Sequence, residues 1–97
     1  MIVRLTPRAL SEAKRIKTWW QKNRREALDL FDDEMAAVLE QIRTTPSLGT
    51  IYVGRFSATV RRILMPETQN HLYYAIRENE VVVLSVWGAP RAPGPKL

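Results

Sequence analysis

Apolar residues in the first half of the chain recur with the spacing of helices. One stripe has intervals of four, three and four residues: Ala9, Ala13, Ile16 and Trp20. It predicts an amphipathic helix that begins at Thr6-Pro7, because threonine caps a helix and proline is tolerated at its first position. Residues 2–5, just before it, predict a short strand.

A second helical pattern follows a charged interruption at residues 22–25. Its apolar positions have helical spacing: Leu28, Phe31, Met35, Val38 or Leu39, and Ile42. Asn23, with Glu26 three residues later, has the spacing of a capping box and predicts the start of this helix. Pro46 predicts its end, because proline disfavours helical conformation in the residue before it.

The second half of the chain has strand patterns at residues 51–53, 59–65, 71–77 and 81–87. Short, turn-like connections between the last three predict an antiparallel meander. Residues 81–84 are apolar without alternation. This is expected of a central strand covered on both faces, or of one whose second face awaits a partner.

The element order is therefore β-α-α-β-β-β-β. An N-terminal strand and α-helical hairpin followed by an antiparallel β-meander predict an α+β fold, with the helices packed on one face of the sheet. A chain of 97 residues suits one hydrophobic core. We expect residues 1–97 to form a single domain that ends in an irregular, proline-rich tail from about residue 90.

The composition excludes several kinds of site. The chain has no cysteine and one histidine, His71, which excludes disulfides, thiolate metal sites and multi-histidine metal centres. The acids of the second helix are Asp29, Asp32, Asp33 and Glu34. Helical spacing scatters them, so we expect a solvated helix face, no metal and no cofactor. The first five residues lead straight into charged ones, which indicates a cytoplasmic protein without a membrane partner.

Basic residues outnumber acidic ones by 15 to 10, which favours polyanionic partners such as nucleic acid, the ribosome or an acidic protein. A basic protein without such a partner is the alternative. Residues 1–23 carry six basic and one acidic residue, 24–45 carry three and six, and 46–97 carry six and three. The positive charge therefore lies outside the second helix.

Two adjacent arginines, Arg61 and Arg62, lie in the first strand of the predicted meander. Side chains alternate along a strand, so the two point to opposite faces of the sheet. One of them must be paired, extend its charged end to solvent, or lie on an open functional face. For either residue, an ordinary arginine at the edge of the core is the alternative.

Three further side chains are candidates for function. His71 shares a strand face with Tyr73 and can exchange protons near neutral pH, although a lone histidine at a strand end is often an ordinary polar residue. Trp19 and Trp20 point about 100° apart on their helix. One of them suits the core, and the other is a candidate anchor for a partner or a half-buried contact of the hairpin.

This element order occurs together with specific residues that are spread along nearly the whole chain. They are Thr6-Pro7-Arg8-Ala9, Pro46 with Gly49, Val60-Arg61-Arg62, and the strands 71–76 and 81–87. This combination resembles the RelE/ParE superfamily of toxins from type II toxin-antitoxin systems. The resemblance implies a toxin that causes growth arrest. It also implies a cognate acidic antitoxin, which holds the toxin inactive in a hetero-oligomeric complex.

Two activities occur in this superfamily, and the long helical hairpin and the arginine strand resemble the ParE-like branch more closely. ParE-like members poison DNA gyrase by binding it and are not nucleases. The target-binding residues implied by this resemblance are Arg61, Arg62, Tyr73 and Arg91. The residues that we expect to bind a ParD-like antitoxin are Trp19, Trp20, Val81 and Val83.

RelE-like members, the alternative, cleave mRNA on the ribosome. The positions that match their catalytic residues are Arg61, Arg62, His71 and Arg91. The resemblance implies a tyrosine or histidine in the segment 88–97, which here contains only Gly, Ala, Pro, Arg, Lys and Leu. Acid-base catalysis would therefore fall to His71. A degenerate toxin that acts only as a binding module is a further alternative.

Overall fold

The helices and strands follow the predicted order. The computed structural model describes residues 1–52, 59–90 and 94–97. In chain order the elements are β1 (Ile2–Leu5), α1 (Pro7–Asn23), α2 (Leu30–Thr44), β2 (Thr50–Tyr52), β3 (Val60–Met65), β4 (Asn70–Arg77) and β5 (Glu80–Gly88). Single-turn 3-10 helices, Arg25–Ala27 and Pro46–Leu48, flank α2. The predicted α+β fold is confirmed. Val53, which was expected in the strand 51–53, lies outside the described residues.

The five strands form one sheet in the order β1-β5-β4-β3-β2. Neighbours from β2 to β5 pair antiparallel, which confirms the predicted meander. β1 pairs parallel with β5, with Val3 opposite Val81 and Leu5 opposite Val83. The sheet is therefore mixed, and β5 lies between β1 and β4. This interior position explains the unalternating apolar run of β5.

Both helices pack on one face of the sheet. The buried core between the two layers consists of Ala9, Phe31, Met35, Val38, Ile42, Met65, Leu72, Tyr74, Val81, Val83 and Val86. Ala13, Ile16 and Trp20 of the predicted stripe pack against it. Removal of this apolar surface from water is the main stabilising contribution to the fold. Within the described residues, neither helix is long and apolar enough to cross a membrane.

The other face of the sheet carries no helix within the described residues. Strand alternation places four side chains there that are nevertheless buried: Val60, Tyr73, Ala75 and Val82. Arg62 and His71 point to the same side and are half-buried. The sheet therefore has a second, smaller buried cluster behind the main core.

The start of α1 is as predicted, whereas the predicted capping box is wrong. Thr6 Oγ1 accepts a hydrogen bond from the Ala9 backbone N–H at 3.1 Å. Asn23, however, is the last residue of α1, and its side-chain amide donates to the Trp19 carbonyl at 2.8 Å. The single turn Arg25–Ala27 follows, so α2 begins only at Leu30. Asn23 satisfies the end of one helix instead of the start of the next.

The prediction of a solvated acidic face is wrong for Glu34, which is buried. Its carboxylate accepts hydrogen bonds from the Glu67 N–H at 2.7 Å, the Thr68 N–H at 3.0 Å and the Thr68 hydroxyl at 2.6 Å. Glu34 therefore ties α2 to the turn between β3 and β4. Asp29 and Asp33 are exposed, as expected, and Asp32 pairs with Lys17 at 3.0 Å across the hairpin.

Candidate functional site

The two adjacent arginines of β3 have different surroundings. Arg61 donates hydrogen bonds to the carbonyl oxygens of Ser47 at 3.2 Å and Gly49 at 2.8 Å. On the same side of the sheet, the Tyr74 hydroxyl donates to the Pro46 carbonyl at 2.6 Å and accepts from the Gly49 N–H at 2.8 Å. Arg61 therefore fixes the segment after α2 to the sheet.

Gly49 is required at this junction because the chains pass so closely. A Cβ atom at this position would lie 2.8 Å from the Tyr74 hydroxyl oxygen and 3.0 Å from the Arg62 carbonyl oxygen. Any larger residue would push β3 or the Tyr74 ring away and break the hydrogen bonds that Arg61 and Tyr74 make here. Pro46 and Gly49, which contribute to the family resemblance, therefore have a structural role at this junction.

Arg62 lies on the opposite face, within a group that we call the Arg62 face: Tyr52, Arg62, His71 and Tyr73. The guanidinium carbon of Arg62 lies 5.2 Å from the centre of the Tyr52 ring. The Tyr52 and Tyr73 rings meet edge to face at 4.9 Å, and the His71 and Tyr73 rings at 6.1 Å. Three strands contribute to the group: β2, β3 and β4. The cation-π contact with Tyr52 and the hydrogen bond to Tyr73 favour a fixed position of the arginine.

The pKa values of His71 and Tyr73 are shifted in the direction that favours their neutral forms. Burial, followed by the positive charge of Arg62, lowers the pKa of His71 below its usual value. Burial raises the pKa of Tyr73, and a hydrogen bond from Arg62 opposes the rise. At neutral pH the Arg62 guanidinium therefore lies beside a neutral His71 imidazole and a neutral Tyr73 phenol. Such a group recognises an anion, either carboxylate or phosphate.

A second candidate site is a cleft of about 700 Å³, which we call the tryptophan cleft. It lies between α1, the turn after β3 and the end of β5. Its apolar walls include Ile16, Trp19, Trp20, Val86 and Trp87. Its charged lining residues are Glu12, Arg15, Arg24 and Glu67. A concave apolar surface with a few charged groups in its lining is typical of a binding site for a partner or ligand.

The two tryptophans on α1 divide as the sequence suggested. Trp20 packs partly against the core, whereas Trp19 is 51% exposed. Their rings meet edge to face at 5.5 Å, and the guanidinium of Arg24 lies 6.0 Å from the Trp20 ring centre. Trp19 therefore presents a large aromatic surface to solvent while Trp20 holds it in place.

The other predicted site residues are placed differently. Val81 and Val83, which we expected to bind an antitoxin, are fully buried beneath the helices. They are part of the core and present no surface in this conformation. Arg91, expected in either version of the target site, lies outside the described residues.

Sequence reasoning missed Tyr52, Glu12 and Trp87 as site residues. Tyr52 reaches Arg62 only through the pairing of β2 with β3, which no local pattern predicts. The sequence does contain a signal for Glu12, because this acidic residue lies beside Ala9, Ala13 and Ile16 on the apolar side of α1. Its buried carboxylate accepts hydrogen bonds from the Ser85 hydroxyl at 2.8 Å and the Val86 N–H at 3.2 Å.

Two solved structures have similar folds. "Chromosomal ParDE TA system from P. aeruginosa" aligns with a TM-score of 0.74 and 12% identity, over 91% of this chain and 95% of that chain. "The structure of YoeB dimer from Staphylococcus aureus" aligns with a TM-score of 0.58 and 15% identity, over 90% and 94%. At these identities the likeness shows the fold alone.

Sequence comparison identifies the family. No curated protein sequence matches the chain significantly. The model of the family described as "ParE toxin of type II toxin-antitoxin system, parDE" matches residues 3–93, which include α1, α2 and every described strand except for Ile2 at the start of β1. The chain belongs to the ParE toxin family of type II toxin-antitoxin systems.

Proposed function

We propose that this toxin arrests growth in the cytoplasm by binding and poisoning DNA gyrase, and that an acidic, ParD-like antitoxin neutralises it. The grouping of Arg62 with Tyr52, His71 and Tyr73 carries the target-binding half of the proposal. A half-buried arginine held by aromatic rings is preorganised for a bidentate contact to a carboxylate or phosphate. Preorganisation lowers the entropy cost of binding.

Binding fits the described Arg62 face better than cleavage does. Phosphodiester cleavage needs one group that accepts a proton and another that donates one. With its lowered pKa, His71 suits the first role, but the raised pKa of Tyr73 makes that hydroxyl a poor acid. Arg61 is engaged with Ser47 and Gly49 on the other side of the sheet, so it adds no second cation here.

Purified protein in a gyrase supercoiling assay and in a translating ribosome extract tests the target. We expect cleaved linear DNA in the first and intact mRNA in the second. Arg62→Ala should weaken gyrase inhibition about 30-fold, the effect of losing roughly 2 kcal/mol at a central contact. His71→Ala should have a mild effect. Arg77→Ala removes the same charge from an exposed position on β4 and is the matched control.

A RelE-like ribonuclease is the second candidate, because a neutral imidazole lies on the same face as an arginine and a tyrosine. In that case mRNA is cut at A-site codons. His71→Ala then reduces the rate by about 100- to 10,000-fold, as loss of a general acid or base does. That pair of results would overturn gyrase poisoning. Inhibition of neither process would identify a degenerate toxin that retains only its binding surfaces.

The tryptophan cleft supports the antitoxin half of the proposal. α1 carries five basic residues and one acidic residue, and the cleft beside it is walled by apolar and aromatic side chains. This combination suits an acidic, amphipathic segment that folds on binding, with anchors in the cleft and carboxylates near Arg15 and Arg24. Trp19 and Trp20 thus stay in the proposed antitoxin surface, and the buried Val81 and Val83 are excluded from it.

Binding to the antitoxin encoded in the adjacent reading frame tests this surface. Trp19→Ala should weaken binding by about 2 kcal/mol or more, the effect of truncating an aromatic anchor. Leu10→Ala is the matched control, because Leu10 lies on the same helix with a similar exposure of 49% but does not line the cleft. Equal losses of affinity in the two variants would mean that the antitoxin binds elsewhere on the toxin. A toxin that is stable and harmless alone and binds no neighbouring gene product would refute this half of the proposal.

A further inference from the structure

Side chains on the sheet face opposite the helices are more buried than a fold of two layers requires. Val60, Tyr73, Ala75 and Val82 point to this face and are only 3, 2, 1 and 2% exposed. Side chains on a sheet face without a second layer are ordinarily open to water. Some other part of the chain must therefore contribute to covering them.

Residues 94–97, which we call the strap, reach this face at Gly94. A Cβ atom built on Gly94 would lie 3.1 Å from the Tyr52 hydroxyl oxygen and 3.6 Å from the Tyr73 hydroxyl oxygen. The next residue, Pro95, is buried. Gly94 has a φ of +100°, a conformation that residues with a side chain rarely adopt. The strap therefore approaches the Arg62 face closely, and glycine is what permits both its path and its proximity.

Arg8 connects the C-terminal part of the strap to α1. Its guanidinium donates a hydrogen bond to the Lys96 carbonyl oxygen. Its Nε lies 3.5 Å from a carboxylate oxygen of Glu12. Glu12 is itself buried and bonded to Ser85 and Val86 on β5. A buried, hydrogen-bonded carboxylate thus orients the side chain that retains the strap.

We propose that residues 94–97 are an autoinhibitory strap, which closes the Arg62 face to a target until it lifts. The strap is held by the Arg8 hydrogen bond, by the packing of Pro95 and by the contact of Gly94 with the two tyrosines. Segments with few buried contacts open at much lower free energy than core strands do. A target that needs the open face binds with an affinity reduced by the fraction of molecules that are open. The effect on toxicity rests on the proposed function, whereas the position of the strap does not.

Nitration with tetranitromethane measures access to the face without any target. Three variants loosen the strap: Gly94→Ala, Arg8→Ala and a chain that ends at residue 93. We expect each to nitrate Tyr52 and Tyr73 roughly tenfold faster or more, because the reaction follows the open fraction. Tyr74, fully buried on the helix side, is an internal control and should stay protected. Lys14→Ala removes one charge from an exposed position of α1 and is the matched control for Arg8→Ala.

Gyrase inhibition by the same variants tests the regulatory role. We expect the loosened variants to inhibit supercoiling at several-fold lower concentration than the parent. Unchanged nitration in the truncated chain would overturn the strap itself. Faster nitration without stronger inhibition by a protein that does inhibit gyrase would overturn autoinhibition. If no variant inhibits gyrase, the proposed target fails, and the same comparison of parent and variants in the translation extract decides on autoinhibition.

Discussion

The two faces of the sheet differ in what covers them and in which residues they hold. The helices α1 and α2 cover one face, which holds the main apolar core together with the buried, hydrogen-bonded carboxylates of Glu12 and Glu34. Within the described residues, no buried side-chain nitrogen or oxygen lacks a hydrogen-bond partner. The other face holds a cation, a histidine and two tyrosines, and the four-residue strap lies over part of it. The charged groups of the covered face are bonded within the fold and support its stability, whereas the other face holds the candidate target site.

Adjacent residues show how sharply the faces are separated. Tyr74 points to the helices, where its hydroxyl locks Pro46 and Gly49 in place. Tyr73 points the other way, towards Arg62 and His71. Alternation along one strand thus gives two tyrosines next to each other in sequence a structural and a functional environment. Substitutions made in pairs, one on each face, can break or sharpen this comparison.

The largest difference is expected for leucine truncation. Leu72 is fully buried under the helices. Leu72→Ala should therefore lower the free energy of unfolding by about 2 to 5 kcal/mol, because the cavity left by the side chain cannot fully close. Leu64→Ala, on the other face and 44% exposed, should stay within about 0.5 kcal/mol of the parent. Urea denaturation followed by circular dichroism measures both. Similar losses would mean that the second face is also a core.

A smaller difference is expected for removal of the two hydroxyls. Tyr74→Phe leaves the Gly49 N–H and the Pro46 carbonyl without their partner and should cost about 1 to 3 kcal/mol. Tyr73→Phe should change stability less and weaken target inhibition more. Urea titration and the supercoiling assay separate the two effects. The reverse ranking in stability would contradict the division of roles between the faces.

The difference in stability between Arg61→Ala and Arg62→Ala should be smaller still. Arg61→Ala removes two hydrogen bonds to the segment after α2 and should cost about 1 kcal/mol of stability. Arg62→Ala should change the unfolding free energy by only a few tenths of a kcal/mol, as for substitutions outside the core. Thermal unfolding at matched pH ranks the two variants. A stable Arg61→Ala protein with lost toxicity would make Arg61 a target contact.

The smallest effect is a pH dependence that involves His71. Its pKa in the folded protein lies below the unfolded value of about 6.5, so the unfolded chain binds the proton more readily. Stability should therefore fall as the pH drops below about 6.5 and level off below the folded pKa. His71→Gln should remove this part of the pH profile in denaturant titrations. A profile that is unchanged in His71→Gln would exclude this contribution.

His71 is the only histidine, so its proton NMR titration is unambiguous. Arg62→Ala should move the pKa of His71 back towards the usual value, because the nearby positive charge contributes to the lowering. Arg77→Ala, which removes an exposed charge elsewhere on β4, is the control. An identical titration in all three proteins would separate His71 from Arg62.

Local periodicity accounts for the parts of the fold that were predicted correctly. The stripe from Ala9 to Trp20 and the alternation in β3 and β4 are properties of short segments, so they predict elements without knowledge of the whole chain. The errors fell where distant groups compete. Asn23 matched a capping pattern, but its side chain bonds to Trp19, four residues earlier. Glu34 matched a solvated face, but it is buried and accepts hydrogen bonds from N–H groups of a turn 33 and 34 residues away.

The sequence by itself determined the element order, the basic charge, the opposite directions of Arg61 and Arg62, and the shared face of His71 and Tyr73. Only the tertiary structure decided which of those directions faces the helices. Alternation fixes the relation between neighbours in a strand, whereas the packing of two distant helices decides which face is covered. The same holds for Tyr52 beside Arg62, Trp19 at the cleft and Gly94 over the tyrosines. Each depends on contacts between segments that are far apart in sequence, and no local pattern records such contacts.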